Sequence, residues 1–145
     1  MSKSNAFENA WLQLVFQNTN IANIGDATGL RGSATAGQLF IGLHSADPGE
    51  VGTQATSEVT YTGYARVGVA RSAVGFTVTD NSVSPAANVD FPACTAGTAT
   101  ATHFSVGVAS SGATLVLYKG AISPTIAIAS GVTPRLTTAT AITED

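Results

Sequence analysis

The chain has 145 residues, nine of them acidic and six basic, so its formal net charge is −3. Only 10% of its residues are charged, against about 25% in an ordinary soluble domain. Its scattered Lys and Arg exclude the basic clusters that bind nucleic acid or anionic membranes, and no apolar run reaches the roughly 18 residues of a membrane span.

A single cysteine, Cys94, limits the covalent and metal chemistry of the chain. One cysteine cannot close an intrachain disulfide, and no Cys/His cluster has the spacing of a zinc site. A chain of this length buries enough surface to fold without such staples. We therefore predict no cofactor, no metal and no small-molecule substrate.

Small uncharged residues take the place of the missing charges, and the mean hydropathy is +0.24. Short side chains lose little conformational entropy when their surface packs against another surface. This composition predicts a protein that functions in an assembly, and we expect it to form a homo-oligomer.

Residues 5–18 predict the first element, an α-helix. Asn5 is a good N-cap, and Glu8 three residues later completes a capping-box pattern. Apolar side chains follow at the spacing of one helical face, and these are Phe7, Trp11, Leu14 and Val15. Leu12 and Phe16 widen this face. Two interpretations remain open: the helix covers one end of a β core, or it docks on a neighbouring subunit.

Residues 19–37 predict a long connecting arm that is rich in Gly, Ala and Asn and has no sustained period. Loops longer than about 12–15 residues are uncommon in compact domains and are usually functional or disordered. The arm has apolar side chains at Ile21, Ile24 and Leu30, which is too little for it to order itself. We expect neighbouring subunits to hold it.

From residue 38 onward the pattern changes to short strands, so we divide the chain into a helix and arm, 1–37, and a β domain, 38–145. The predicted strands are 38–44, 65–71, 75–79, 87–91, 98–109, 114–119, 122–129 and 136–143. Turn residues separate these runs about every 8–12 residues. About eight short strands without βαβ alternation predict a mainly β fold, an antiparallel β-sandwich or jelly roll with one N-terminal α-helix.

Two groups of residues raise the alternative of a small hydrolase. His44, Asp47 and Glu50 lie around an Asp-Pro-Gly turn, where they could bind a metal, but turn formation alone explains this sequence. His103 and Ser105 share a strand face, on which side chains two positions apart lie roughly 6–7 Å from each other. That distance is too long for a direct hydrogen bond, so we predict no catalytic site.

An aromatic and basic cluster lies at the entry to one predicted strand. Its members are Tyr61, Tyr64 and Arg66, and the guanidinium of Arg66 could stack on a ring or bind a carboxylate. Two interpretations stay open here as well: a cluster at the edge of the core, or a contact with another subunit.

Several motifs together resemble a family of small phage virion proteins. They are "SNAFENAWL", "LFIGLHSADPGEVGT", "EVTYTGYARVGV", "VDFPA", "THFSVG" and the final "AITED", and they cover most of the chain. Members of this family are often labelled tail-fibre proteins, and the group is similar to the jelly-roll cement proteins that lock the capsids of tailed phages. The resemblance implies a jelly roll, self-association and no enzymatic activity.

The composition favours the cement alternative, because neither the repeats of a fibre shaft nor an aromatic recognition tip is evident in the sequence. We therefore expect a capsid decoration protein on the exterior of the capsid that binds the major capsid protein and is assembled in the host cytoplasm. A tail or tail-fibre component is the alternative. The predicted contacts are Phe7, Trp11, Leu12, Leu14, Val15, Phe16, Ile21, Ile24, Leu30, Tyr61, Tyr64 and Arg66.

Overall fold

A computed structural model describes residues 2–144. The fold is mainly β, with antiparallel pairing and an N-terminal helix, as predicted for the sandwich class. The elements are α1 (Asn5–Gln17), β1 (Gln38–His44), β2 (Val67–Ala70), β3 (Phe76–Thr79), β4 (Ser82–Pro85), β5 (Val89–Asp90), β6 (Ala99–Gly107), β7 (Val116–Ile128), β8 (Arg135–Leu136) and β9 (Ile142–Thr143).

The strands form three sheets, with the orders β2-β1-β6-β7, β3-β4-β9 and β5-β8. β6 pairs antiparallel with both β1 and β7, and β4 pairs antiparallel with both β3 and β9. Neighbours in a sheet are thus often distant in sequence, which is typical of sandwich topologies rather than of simple meanders.

The chain divides into two compact units. The first unit runs to Gln38 and includes Val69–Asn88 and the segment that begins at Thr137. The second unit consists of Leu39–Gly68 and Val89–Leu136. The first boundary lies next to the one predicted between residues 37 and 38, but the first unit also contains the β3–β4 hairpin and β9.

The N-cap of the helix in the first unit lies one residue earlier than predicted. Ser4, not Asn5, is the N-cap, because its Oγ and its carbonyl both accept the amide of Phe7. Glu8 therefore lies beyond the capping-box position. At the other end, Asn18 adopts a left-handed conformation with φ of 60°, and its amide donates to the Gln13 carbonyl, which ends the helix.

The buried face of α1 differs from the predicted one. Leu12 and Phe16 have no exposed surface and lie four residues apart, in line with the buried Glu8. The Phe16 ring meets the ring of Phe76 on β3 edge to face, with centroids 5.0 Å apart. The apolar surface of this helix is so wide that periodicity alone does not determine which part of it packs on the sheet.

The arm forms hydrogen bonds within the first unit, and its contact with neighbouring subunits stays a prediction. Ile21 and Leu30 exchange backbone hydrogen bonds of 2.9 and 2.8 Å, which closes the intervening loop. Within it, the Asp26 carboxylate accepts the amides of Thr28 and Gly29, and these bonds lower the pKa of Asp26. Polar side chains shape this loop, so its low apolar content does not predict its conformation.

Arg71 joins the arm to the end of α1. Its guanidinium donates to the carbonyl of Val15 at 2.7 Å and to that of Leu14. It also donates to the side chains of Asn18 and Ser33. One side chain thus satisfies two carbonyls that the helix terminus leaves without intrahelical partners.

The second unit contains most of the strand residues, and its longest strand was predicted as two. The predicted strands at 114–119 and 122–129 are one continuous strand, β7. Gly120 lies within this strand. A Cβ at this position would lie 2.8 Å from the Phe104 ring, so the glycine permits close packing and does not interrupt the strand.

The core of the second unit is apolar but contains several polar side chains. Its buried apolar members are Leu39, Ile41, Leu43, Val59, Tyr61, Val89, Phe91, Cys94, Ala101, Phe104, Val106, Ile128 and Leu136. The polar side chains buried with them are those of His44, Gln54, Arg66 and Ser105. Since buried polar groups are costly unless they are hydrogen-bonded, their partners determine how this unit is built.

Candidate functional site

Five of the twelve predicted contact residues lie in the interior of the chain itself. They are Leu12, Leu14, Phe16, Tyr61 and Arg66, each with at most 9% of its surface exposed. Side chains this deeply buried have almost no area left to offer a partner, and contact with another subunit at the predicted positions stays a prediction. They stabilise the fold of their own units.

A second stripe of α1 remains partly exposed. Phe7 is 36% exposed, Trp11 and Val15 are half-buried, and these three residues are spaced four apart. The rings of Phe7 and Trp11 lie 6.5 Å apart. We call Phe7, Trp11 and Val15 the helix face. It combines two aromatic side chains on a rigid element, the type of surface that dominates protein–protein contacts.

The arm adds exposed apolar side chains to the first unit. Ile24 is 40% and Leu30 is 37% exposed, while Ile21 is half-buried. They lie in or beside the loop closed by the Ile21–Leu30 pair. The Ile21–Leu30 backbone hydrogen bonds close the loop that contains these side chains.

Tyr64 and Arg66 belong to a buried ion-pair network in the second unit. Arg66 binds the Glu58 carboxylate through two nitrogens, at 2.7 and 2.8 Å. The Tyr64 hydroxyl donates to the same carboxylate at 2.8 Å and accepts the Leu43 amide at 3.0 Å. Burial raises the pKa of this phenol well above its usual range. The burial of Tyr61 and Arg66 fits the interpretation of this cluster as part of the edge of the core.

Gln54 is a buried polar residue that the sequence analysis missed. It is completely buried, and its amide oxygen accepts hydrogen bonds from Val108, Ala109 and Thr114. Its amide nitrogen donates to the Phe40 carbonyl at 3.2 Å. A lone glutamine between Thr53 and Ala55 carries no pattern that would indicate burial, so the sequence contains no signal for this role. The sequence indicated that Arg66 could bind a carboxylate, but it did not identify Glu58 as the residue that supplies it.

The residues considered for hydrolysis are arranged differently from a catalytic site. His44, not His103, meets Ser105, with Nε2 and Oγ 2.8 Å apart, and its Nδ1 lies 2.8 Å from the Thr56 carbonyl. Neither His44 nor Ser105 has exposed surface, so this pair has no access to a substrate. Burial lowers the pKa of His44, which favours the neutral ring.

Asp47 and Glu50 point to a lysine rather than to His44. The Lys119 ammonium lies 3.0 Å from the Asp47 carboxylate and 3.3 Å from that of Glu50. Asp47 also accepts the Gly49 amide, and these contacts lower the pKa of Asp47. Within residues 2–144, no group of three or more His, Cys, Asp or Glu side chains could hold a metal. Across the same residues, no helix has the length and apolar character needed to span a bilayer.

Comparison with known proteins assigns the chain to a family. The family described as podophage GP4 fiber I protein gp80 matches residues 2–143. None of the curated proteins matches the chain. Because the family match spans nearly the whole sequence, the chain belongs to the podophage GP4 fiber I protein gp80 family and is a structural protein of the phage virion.

Proposed function

We propose that the chain is a non-enzymatic subunit of the phage fibre apparatus, attached to neighbouring virion subunits through the helix face. The observation that carries this proposal is the family match over residues 2–143, since the family is described as a fiber protein. A virion structural role agrees with a composition of few charges, which lowers the cost of desolvating broad contact surfaces.

The absence of enzymatic activity is part of the proposal. Among the side chains considered for acid–base or nucleophilic chemistry, His44 and Ser105 lie inside the second unit, and Asp47 forms an ion pair with Lys119. A hydrolase needs a nucleophile and a base that a substrate can reach. The surroundings of these residues support a structural role instead.

Attachment through α1 follows from how the helix divides its apolar surface. Leu12 and Phe16 pack inward, while Phe7, Trp11 and Val15 keep accessible surface on a neighbouring stripe of the helix. At roughly 25 cal/mol per Å² of apolar area, docking of this face would stabilise the assembly by a few kcal/mol per copy. The partner is a neighbouring virion subunit, either a second copy of the chain or another structural protein.

Capsid decoration is the second candidate, and a specific observation favours it. Val51, Val74 and Leu115 are 99%, 84% and 62% exposed, so apolar surface is present far from α1 in sequence. A protein that contacts several neighbours at once, such as a cement protein bound to the major capsid protein on the capsid exterior, uses contact surface of this kind.

Imaging of labelled particles separates the two candidates. Intact particles would be incubated with gold-conjugated antibody against the purified chain and examined by electron microscopy. The fibre proposal predicts label confined to the tail and its fibres, whereas capsid decoration predicts label spread over the head. Particles that lack the chain altogether, as measured by mass spectrometry of purified virions, would contradict both.

A further inference from the structure

The loop between β6 and β7, residues 108–115, has little in its own sequence to fix its conformation. Between Val108 and Leu115 it contains only Ala, Ser, Gly and Thr. Val108 and Leu115 themselves are 46% and 62% exposed. A loop of small residues with apolar side chains in solvent is normally among the most mobile parts of a domain. Here, however, two buried side chains from elsewhere in the second unit bind both its ends and its middle.

Gln54 binds both ends of this loop. Its Oε1 accepts the amides of Val108 and Ala109 at 3.0 and 3.2 Å and the hydroxyl of Thr114 at 2.7 Å. The backbone adds a fourth contact, because the Gln54 amide donates to the Thr114 carbonyl at 2.8 Å. A single residue therefore ties the first and last turns of the loop to each other.

The fit of Gln54 depends on a glycine at the end of β6. A Cβ added to Gly107 would lie 2.0 Å from Cδ of Gln54, which is far inside van der Waals contact. The amide group of Gln54 thus occupies the space that a side chain at position 107 would take. This close approach determines where Oε1 lies relative to the loop amides.

Arg66 holds the middle of the loop. While two of its nitrogens bind Glu58, its guanidinium also donates to the carbonyls of Ala109 and Gly112, at 3.1 and 2.8 Å. The Arg66 side chain is 2% exposed. The Glu58 carboxylate compensates the charge of the buried guanidinium. Because the guanidinium is planar and rigid, its contact with Glu58 also fixes the direction of the N–H groups that donate to the loop.

Buried polar networks of this kind often contribute less stability than an apolar core of the same volume, and they fix one geometry instead. In this chain the geometry that they fix is that of an exposed loop. We infer that Gln54 and Arg66 form a latch that holds the β6–β7 loop in one conformation, so that Val108 and Leu115 are presented in fixed positions on the surface. Both are positioning residues, because each acts through the loop backbone.

Amide hydrogen exchange of the full chain tests the latch directly. In a Gln54→Leu variant we expect the amides of Val108 and Ala109 to exchange about tenfold faster or more, because each loses a buried hydrogen bond. The amides of Ile41 and Val106 in the paired strands β1 and β6 should stay within a few fold of wild type. Gln17→Leu is the matched control: it removes a glutamine bond to the Phe76 carbonyl in the first unit and should leave the loop unchanged.

A milder variant keeps the test decisive if Gln54→Leu fails to fold. Thr114→Val removes only the hydroxyl that donates to Oε1 of Gln54 and conserves the shape of the side chain. We expect a smaller rise in exchange at the same loop amides. The latch would be contradicted if the loop amides exchanged at the wild-type rate in this variant, or if exchange rose equally in β1, β6 and the loop.

Discussion

Two arginines of this chain show how the surroundings of a side chain determine what it contributes. Arg71 donates to two helix carbonyls, an asparagine and a serine, and burial lowers the pKa of its guanidinium. Arg135 binds the Asp90 carboxylate on the surface, where the two side chains are 53% and 47% exposed. The first arginine joins parts of the fold, whereas solvent screens the second.

Substitution of each arginine by methionine measures this difference. We expect Arg71→Met to lower the free energy of unfolding by about 2–3 kcal/mol, because it removes charged hydrogen bonds and leaves carbonyls without partners. Arg135→Met should cost much less, because solvent screens the ion pair that it removes. Urea unfolding followed by Trp11 fluorescence gives both values, and equal losses in the two variants would contradict this account.

His44 predicts a dependence of stability on pH. Its pKa is lowered in the folded chain, first by burial, so the unfolded chain binds a proton more readily. The stability that neutral His44 contributes is fully present above pH 6.5, the ordinary value, and is lost as the pH falls from there through the lower folded-state pKa. The carboxylates with lowered pKa values titrate below 3.8, outside this range.

The measurement is the melting temperature between pH 7.5 and 5 for the wild type and for His44→Gln. The wild type should lose stability as the pH falls, and the variant should show a flatter profile. His103 is present in both proteins, so its contribution cancels in the comparison. Parallel profiles would mean that His44 is not the group that titrates.

The sequence predicted the positions of the strands better than it predicted which face of the helix is buried. β1 was predicted with its observed bounds, and β6 and the turn that follows it were found because apolar alternation and turn residues coincide there. β4 was missed because its sequence, SVSP, has a single apolar β-former. The run predicted at 136–143 divides into β8 and β9, since Thr140 closes a turn back to the Thr137 carbonyl.

The helix illustrates why the candidate site was only partly predictable. Spacing identified α1 and its aromatic stripe, yet six apolar side chains on one short helix allow more than one buried face. Which face packs depends on Phe76, about sixty residues later, and helical periodicity contains no information about it. The same applies to Gln54, whose partners lie on a distant hairpin loop.

Alanine substitutions on the two sides of α1 separate its roles. Leu12→Ala should cost about 2–5 kcal/mol of stability, because it opens a cavity against the β3–β4–β9 sheet. Phe7→Ala removes a side chain that is 36% exposed and should cost less than about 1.5 kcal/mol. Thermal and urea unfolding of both variants check this order. The reverse order would mean that the helix packs with its other face inward.

The two units of the chain differ in the surface that each presents. The first unit has α1 packed on its own sheet and still presents the helix face. The second unit contains a core of hydrogen-bonded polar side chains beneath an exposed loop. Deletion of α1 would remove Leu12 and Phe16 from the core, so it would test folding together with attachment. Point substitutions on the exposed face avoid this ambiguity.

The copy number of the chain in purified particles tests whether the helix face attaches the chain to the virion. Phage that carry Phe7→Ser with Trp11→Ser would be compared with phage that carry Val74→Ser, an apolar residue of the first unit that is 84% exposed and lies outside the helix face. Thermal unfolding of the purified proteins would first establish that both variants fold. Quantitative mass spectrometry of virions should then show a loss of roughly tenfold or more for the helix-face variant, since truncation of interface aromatics commonly costs about 2 kcal/mol or more, and wild-type occupancy for Val74→Ser. Wild-type occupancy of the folded helix-face variant would contradict attachment through α1.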